Sequence, residues 1–461
     1  MRPSATVRGL KRGSGNSAVE RNPGSTKLAS ATPGSLDNVG FAGWGGVCGV
    51  LTLVVFSALL LGAVQPAHGQ TETVLYSFCA RPNCTDGAGP SWVTPVFDGE
   101  GNLYGTTLVG GAYSCNHGGC GTVFELTPSG TETILHSFDD NGTDGHSSWG
   151  GVFLDNEGTL YGTTLLGGEY ICPQGSGTVF ELTPSGTETI LHSFDRCETD
   201  GFWPNPGLVR DAEGNIYGTT SAGGAYSYGT VFKVTPSGTE TILHSFDPNG
   251  TDGWVPAAGL VIDKKGNLYG TTVNGGAYNG GTVFKLTPSG KETILWSFGN
   301  GTDGSHPYAG LVFDKKRNLY GTTEEGGVYS CPYGYTCGTV FKLTPSGMET
   351  ILYSFGVSGD GYAPVAGLLL DKKGNLYGTT ADGGSYSREG YGCALYGCGT
   401  VFKLTPSGTE TILHSFGASG DGYQLNGGLV FDKKGNLYGA TYRGGAYCAP
   451  YGCGTVFKVT P

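Results

Sequence analysis

Four short segments recur in fixed order along this chain, and each occurs seven times: Gly-Leu-Val-Phe-Asp, Asn-Leu-Tyr-Gly-Thr-Thr, Gly-Thr-Val-Phe-Lys-Leu-Thr-Pro and Glu-Thr-Ile-Leu-His-Ser-Phe, with small variations. The Tyr-Gly pair falls at Tyr104, Tyr161, Tyr217, Tyr269, Tyr320, Tyr377 and Tyr438, so the period runs from 51 to 61 residues. Each segment is short, rich in β-branched and aromatic residues, and bounded by turn chemistry, which marks it as a strand. A period near fifty with four strands per unit describes propeller blades. No run after residue 70 has the 3.6-residue period of a long helix.

The ends of the repeat region complement each other. The chain enters it with an isolated fourth segment, Glu72 to Phe78, and stops just after a third segment, Gly454 to Thr460. With strands A to D running outward from the hub, the N-terminal D strand completes the last blade and removes the open edge. The expected fold is therefore all-β: a seven-bladed propeller over residues 71–461, four antiparallel strands per blade. Asp-x-x-Gly-Asn between strands A and B, and Thr-Pro-Ser-Gly between C and D, read as tight turns, with Gly and Asn supplying positive φ in the first.

The third and fourth segments, read together as in Gly399 to Phe416, and the Asn-Leu-Tyr-Gly-Thr-Thr segment resemble the Gloeobacter and Verrucomicrobia type repeat, a tandem-repeat family of bacterial exported or surface proteins. The resemblance covers residues 72 to 461. It implies an extracellular repeat array and supplies no catalytic residue.

Residues 1–70 read as a polar extension followed by a signal peptide. Val47 to Val64 is an apolar run, with Ala67-His68-Gly69 as a small-x-small site after it. An uncleaved membrane anchor is the alternative. Thirteen cysteines, twelve of them in the repeats, fit an oxidising compartment. Of 26 Lys+Arg and 38 Asp+Glu, six and two lie in residues 1–70, which leaves the repeats at a formal charge of −16. Nucleic acid and anionic membrane are poor partners for such a surface, and a glycan or an extracellular protein is a better one. The expected partner class is thus a glycan or protein, the chain a monomer, and its membrane contact only the signal segment.

The cysteines fall in two loop types that emerge on one rim. Cys115 and Cys120, Cys331 and Cys337, Cys393 and Cys398, and Cys448 and Cys453 are expected to pair within B–C loops and Cys79 and Cys84 within a D–A loop, while Cys172 and Cys197, in one loop of each type, could also pair. Stapling offsets the entropy of ordering the longer loops. Thiolate metal sites would need three or four ligands together, which isolated C-x4-C pairs do not provide.

On the same rim, every D–A loop carries an Asp-Gly and then an aromatic. The acids are Asp86, Asp144, Asp200, Asp252, Asp303, Asp360 and Asp421; the aromatics are Trp92, Trp149, Trp203, Trp254, Tyr308, Tyr362 and Tyr423. If both rings surround the channel mouth, ring faces suit sugar rings and carboxylates suit hydroxyls or a cation. Against this stands a purely architectural reading, Asp-Gly as turn and aromatic as wedge. Tyr113, Tyr170, Tyr226, Tyr278, Tyr329, Tyr386 and Tyr447 add a second ring in the B–C loops. Asp139 to Gly145 and Asp247 to Gly253 loosely resemble calcium loops without the EF-hand spacing, so no cofactor is expected beyond a possible Ca²⁺.

His136, His192, His244 and His414 share one strand-D position with Tyr76, Trp296 and Tyr353, which asks for a flat ring rather than a catalyst. No nucleophile elbow, phosphate loop or His-Glu-x-x-His is present. The leading expectation is a non-enzymatic binding module. A carbohydrate-active hydrolase or lyase at the channel mouth and a structural envelope component are the alternatives. The longest B–C loop, Ala381 to Cys398, is the best single candidate for a specific contact.

Overall fold

The computed structural model describes residues 71–461 apart from 116–117, 170–174, 196–199, 250, 332–335, 358, 387–392, 394–396, 419 and 449–451. Residues 1–70, with the expected signal segment, lie outside the described residues, as do Cys172 and Cys197.

Seven blades of four antiparallel strands repeat around the chain, and in blade 3 the loop strand Gly201–Pro204 also joins the sheet. In blade 4 these are Val261–Ile262 (A), Leu268–Thr272 (B), Thr282–Leu286 (C) and Glu292–Ser297 (D), paired in the order A-B-C-D. The blade that closes the ring takes its A, B and C strands from Val430–Phe431, Leu437–Thr441 and Thr455–Thr460, and its outer strand from Thr71–Ser77. The two ends pair from Thr71↔Thr460 to Ser77↔Thr455, so the expected closure is present.

Fourteen phenylalanines build the core. The strand-C residues Phe124, Phe180, Phe232, Phe284, Phe341, Phe402 and Phe457 are at most 1% exposed. Each meets a phenylalanine that ends strand D of the preceding blade edge-on, as in Phe246 with Phe284 (5.3 Å) and Phe416 with Phe457 (4.9 Å). Edge-to-face packing suits the ring quadrupole. The glycine of Tyr-Gly makes room for it: a Cβ on Gly162 or Gly378 would stand 2.5 or 2.7 Å from the facing Phe ring. That close approach explains a glycine inside a strand.

Blades are also joined by hydroxyls. The first threonine after Tyr-Gly donates to a carbonyl three residues before strand A of the next blade, as Thr219 Oγ1 does to Ala258 O and Thr271 Oγ1 to Ala309 O, both 3.0 Å. The second pairs within its blade, as Thr272 with Thr282 at 2.8 Å.

The A–B turn departs in one detail from the sequence expectation. The glycine has positive φ, for example Gly266 at +75°, but the asparagine does not. Asn267 instead donates its Nδ2 to Asp263 Oδ2, and Asp263 also accepts from the Asn267 and Lys265 amides and from Tyr269 Oη. The motif is an aspartate-centred clamp. Arg317 takes the glycine place in blade 5 at φ +68° and reaches Asp263 of blade 4 at 2.9 Å.

Candidate functional site

The acids and aromatics of the D–A loops are parted by the fold. All seven aspartates lie under the outer strand, beside the ring residue of strand D. Tyr76 Oη donates to Asp86 Oδ2 (2.8 Å) and Tyr353 Oη to Asp360 Oδ2 (3.0 Å). His136, His192, His244 and His414 Nε2 meet Asp144, Asp200, Asp252 and Asp421 at 3.2, 3.1, 3.3 and 3.0 Å. Trp296 stands beside Asp303, yet Trp296 Nε1 and Asp303 Oδ2 are both buried without a hydrogen bond. Six of the seven rings thus bond the aspartate, so the position selects a flat ring that also carries a donor. Loop amides supply further donors, as Asp247 N to Asp252 does.

A glutamate from the next blade completes each seam. Glu188 Oε2 is 3.5 Å from His136 Nε2, and Glu292 Oε1 is 3.7 Å from His244 Nε2. Burial, relieved in part by the histidine and aggravated by Asp144 or Asp252, pushes Glu188 and Glu292 up to about 8. Burial opposes protonation of His136 and His244, but the aspartate hydrogen bond and the neighbouring glutamate outweigh it and raise both. These Glu-His-Asp groups span neighbouring blades; Glu72, His414 and Asp421 form another at the ring closure.

The seven aromatics occupy three different registers. Counted back from the aspartate that opens each A–B turn, Trp92, Trp149 and Tyr308 stand six residues before it, Trp203 eight, and Trp254, Tyr362 and Tyr423 nine. The last three sit in short antiparallel ladders between a D–A loop and the next B–C loop, opposite Asn274, Asp382 and Arg443. Tyr423 is fully buried, Tyr362 packs on a blade core, and Trp254 packs edge-on against Tyr228 at 5.3 Å. Trp203 is 38% exposed beside Phe202.

The remaining three converge on the axis. Trp92 is 6.5 Å from Trp149, edge to face, and 6.4 Å from Tyr308. Trp149 is 41% exposed and donates its Nε1 to Ser91 Oγ at 3.2 Å. Beneath them the strand-A segments of all seven blades enclose a cavity of about 350 Å³, lined by Trp92, Tyr308 and small or apolar residues such as Ala257 and Val365, with Asn426 among the few polar groups. That volume suits one small ring-sized group. Farther out, beside the ends of the outer strands, the second tyrosine ring is open to solvent: Tyr113, Tyr226, Tyr278, Tyr329, Tyr386 and Tyr447 are exposed. Tyr170 and most of the Ala381 to Cys398 loop lie outside the described residues.

Two carboxyls stand out here: Glu324, which the sequence reading left unweighted, and Asp382, which belongs to the Ala381 to Cys398 loop singled out there. Glu324 is raised to about 7 by burial and by Glu325; Asp382 is raised to about 7 by burial and by Glu324. Neither carboxyl forms a hydrogen bond among the described residues. Glu324 follows Asn-Leu-Tyr-Gly-Thr-Thr, where blade 3 has Ser221, whose hydroxyl donates to Asn205 Oδ1 of the mouth register. The sequence signal was available: blades 1 to 4 carry Leu108, Leu165, Ser221 and Val273 at this place, and blade 5 alone an acid. Five of the six expected disulfides are formed: Cys79–Cys84, Cys115–Cys120, Cys331–Cys337, Cys393–Cys398 and Cys448–Cys453.

Fold and repeat pattern together define a closed β-propeller with one chemically distinct mouth. The Gloeobacter/Verrucomicrobia repeat matches residues 62–261, 114–334, 172–392 and 332–461, and the chain belongs to that family. No curated protein matches it. Among solved structures it is similar to an extracellular domain assigned to a one-component system of B. thetaiotaomicron (12% identity, TM-score 0.48, covering 84% of this chain and 40% of that one). It is also similar to a fungal alcohol oxidase in complex with copper (15% identity, TM-score 0.49, 81% and 75%). A Thermus oxidoreductase assigned as a glucose dehydrogenase is similar at 14% identity and TM-score 0.39 (85% and 100%). At these scores the likenesses carry no argument about activity.

Proposed function

We propose that this is an exported binding module that takes a glycan at the channel mouth. The reading rests chiefly on Trp92, Trp149 and Tyr308 meeting over a cavity of about 350 Å³. Flat ring faces stack on the apolar faces of sugars, and the outer belt of exposed tyrosines extends that surface to a longer chain. Five disulfides in a family of exported repeats support an extracellular setting. Among the described residues no helix is long and apolar enough to cross a membrane.

The test is a glycan array probed with the oxidised full chain and with the Trp149→Ala/Tyr308→Ala variant. Saturable binding by the parent, lost in a variant that still melts cooperatively, supports the reading. Equal binding by both sinks it.

A second reading, carbohydrate cleavage, is favoured by Glu324, close enough to the mouth residue Tyr308 to add to the rise that burial gives its hydroxyl, and by Asp382 beside it, two carboxyls raised to about 7 and without a hydrogen bond among the described residues. Release of reducing ends from a bound glycan, abolished by Glu324→Gln, would establish it. Binding without turnover leaves the module reading alone.

A further inference from the structure

The ring is closed by strand pairing between Thr71–Ser77 and Thr455–Thr460 and by apolar packing of Phe78 and Leu75 in one cluster with Val456, with no covalent bond across the seam among the described residues, yet four cysteines gather at its end. The Sγ atoms of Cys79, Cys84, Cys448 and Cys453 all lie within 4.8 Å of one another. The register explains why. Ser77 pairs with Thr455, Phe78 N donates to Gly454 O at 3.0 Å, and one further step puts Cys79 opposite Cys453. Gly89 N also donates to Cys453 O at 2.7 Å, which ties the Cys79–Cys84 loop to the same strand end.

We propose that these four cysteines form an exchangeable site that can re-pair across the seam, as Cys79–Cys453 and Cys84–Cys448, and so close the propeller covalently. The local bonds Cys79–Cys84 and Cys448–Cys453 each span five residues and are available to the unfolded chain. Cross-pairing is available only once the first strand has docked on the last blade, so it favours the closed ring. Local pairing also rests on backbone that L-residues disfavour: Cys79, Asn83, Cys84 and Cys448 all have φ between +53° and +63°. Apart from Cys197, no other D–A loop contains a cysteine, so this gathering belongs to the closure alone.

The exchange needs a catalytic thiol and no net oxidant. A small-molecule thiolate attacks Cys84 Sγ and releases the Cys79 thiolate. Cys79 attacks Cys453 Sγ and releases Cys448, which attacks the mixed disulfide on Cys84 and returns the catalyst. Two S–S bonds break and two form.

The experiment maps disulfide-linked peptides of the oxidised full chain after pepsin digestion in acid, before and after incubation with a glutathione redox pair. A peptide around Cys79 linked to one around Cys453 is the expected product. Only local links, before and after, overturn the proposal. A Cys84→Ser/Cys448→Ser variant tests the geometry directly. Cys79 and Cys453 should oxidise together, giving no more free thiol than the parent and a melting midpoint that falls on reduction. Two additional free thiols in a folded variant would refute it.

Discussion

Replacing Glu188 by glutamine should make the protein more stable in mild alkali, although the change removes a partner of a buried histidine. Glu188 lies between blades beside His136 and Asp144, and its carboxyl is held near 8, against 4.5 when exposed, by burial and by Asp144. The folded state keeps a proton that the unfolded chain has already released, so unfolding releases a proton. Stability from this group is complete below pH 4.5 and is lost as pH rises through 8, at about 1.4 kcal/mol per pH unit. Across that window one such group removes up to about 5 kcal/mol. His136 is also raised, so it loses stabilising charge over the upper part of the same range. Glutamine has the shape of the protonated acid and cannot ionise. Glu188→Gln should therefore match the parent to within about 1 kcal/mol at pH 5, and exceed it by a few kcal/mol at pH 8.5. Urea unfolding of both proteins at the two pH values measures this. Equal destabilisation of the variant at both would mean that Glu188 is ionised and paired with His136 throughout, and the seam argument would fail.

Trp296→His should install the missing hydrogen bond to Asp303 and raise stability by about 1 kcal/mol at pH 6, where the imidazole is protonated; a lowered melting midpoint would show that the indole's packing matters more. Gly378→Ala puts a Cβ 2.7 Å from Phe402 and 2.8 Å from Leu368, so it should cost about 1–3 kcal/mol. Gly99→Ala, with no atom within 4 Å of the new methyl, should be nearly neutral in the same denaturant series. Burial would raise Asp371, but its bonds from Asn375, Lys373 and Tyr377 outweigh that and hold it below 3.8. Its stability is thus present above that value and lost below it, and Asp371→Ala should cost about 1–3 kcal/mol at pH 6 and little at pH 3, read from melting midpoints.

Much of this molecule was legible in its sequence, because a repeat reports its own architecture. Seven copies of four strand-like segments fixed the blade count, and the orphan segment at Glu72 to Phe78 named the strand that closes the ring. Disulfides between cysteines five or six residues apart were legible for the same local reason. Shared position around the axis was not. Seven D–A loops of unequal length each carry one Trp or Tyr, and a difference of two or three residues decides whether that ring reaches the axis, as Trp149 does, or is buried in a blade, as Tyr423 is. The aspartates read as mouth residues because they precede the hub strand, but their loops begin at the outer strand, where a ring donor waits. Glu324 and Asp382 belong to different blades, and Cys79 and Cys453 stand at opposite ends of the chain. Repetition determined what each blade is; only closing the ring brought residues of different blades together, since their proximity depends on rotation about an axis that no stretch of sequence contains.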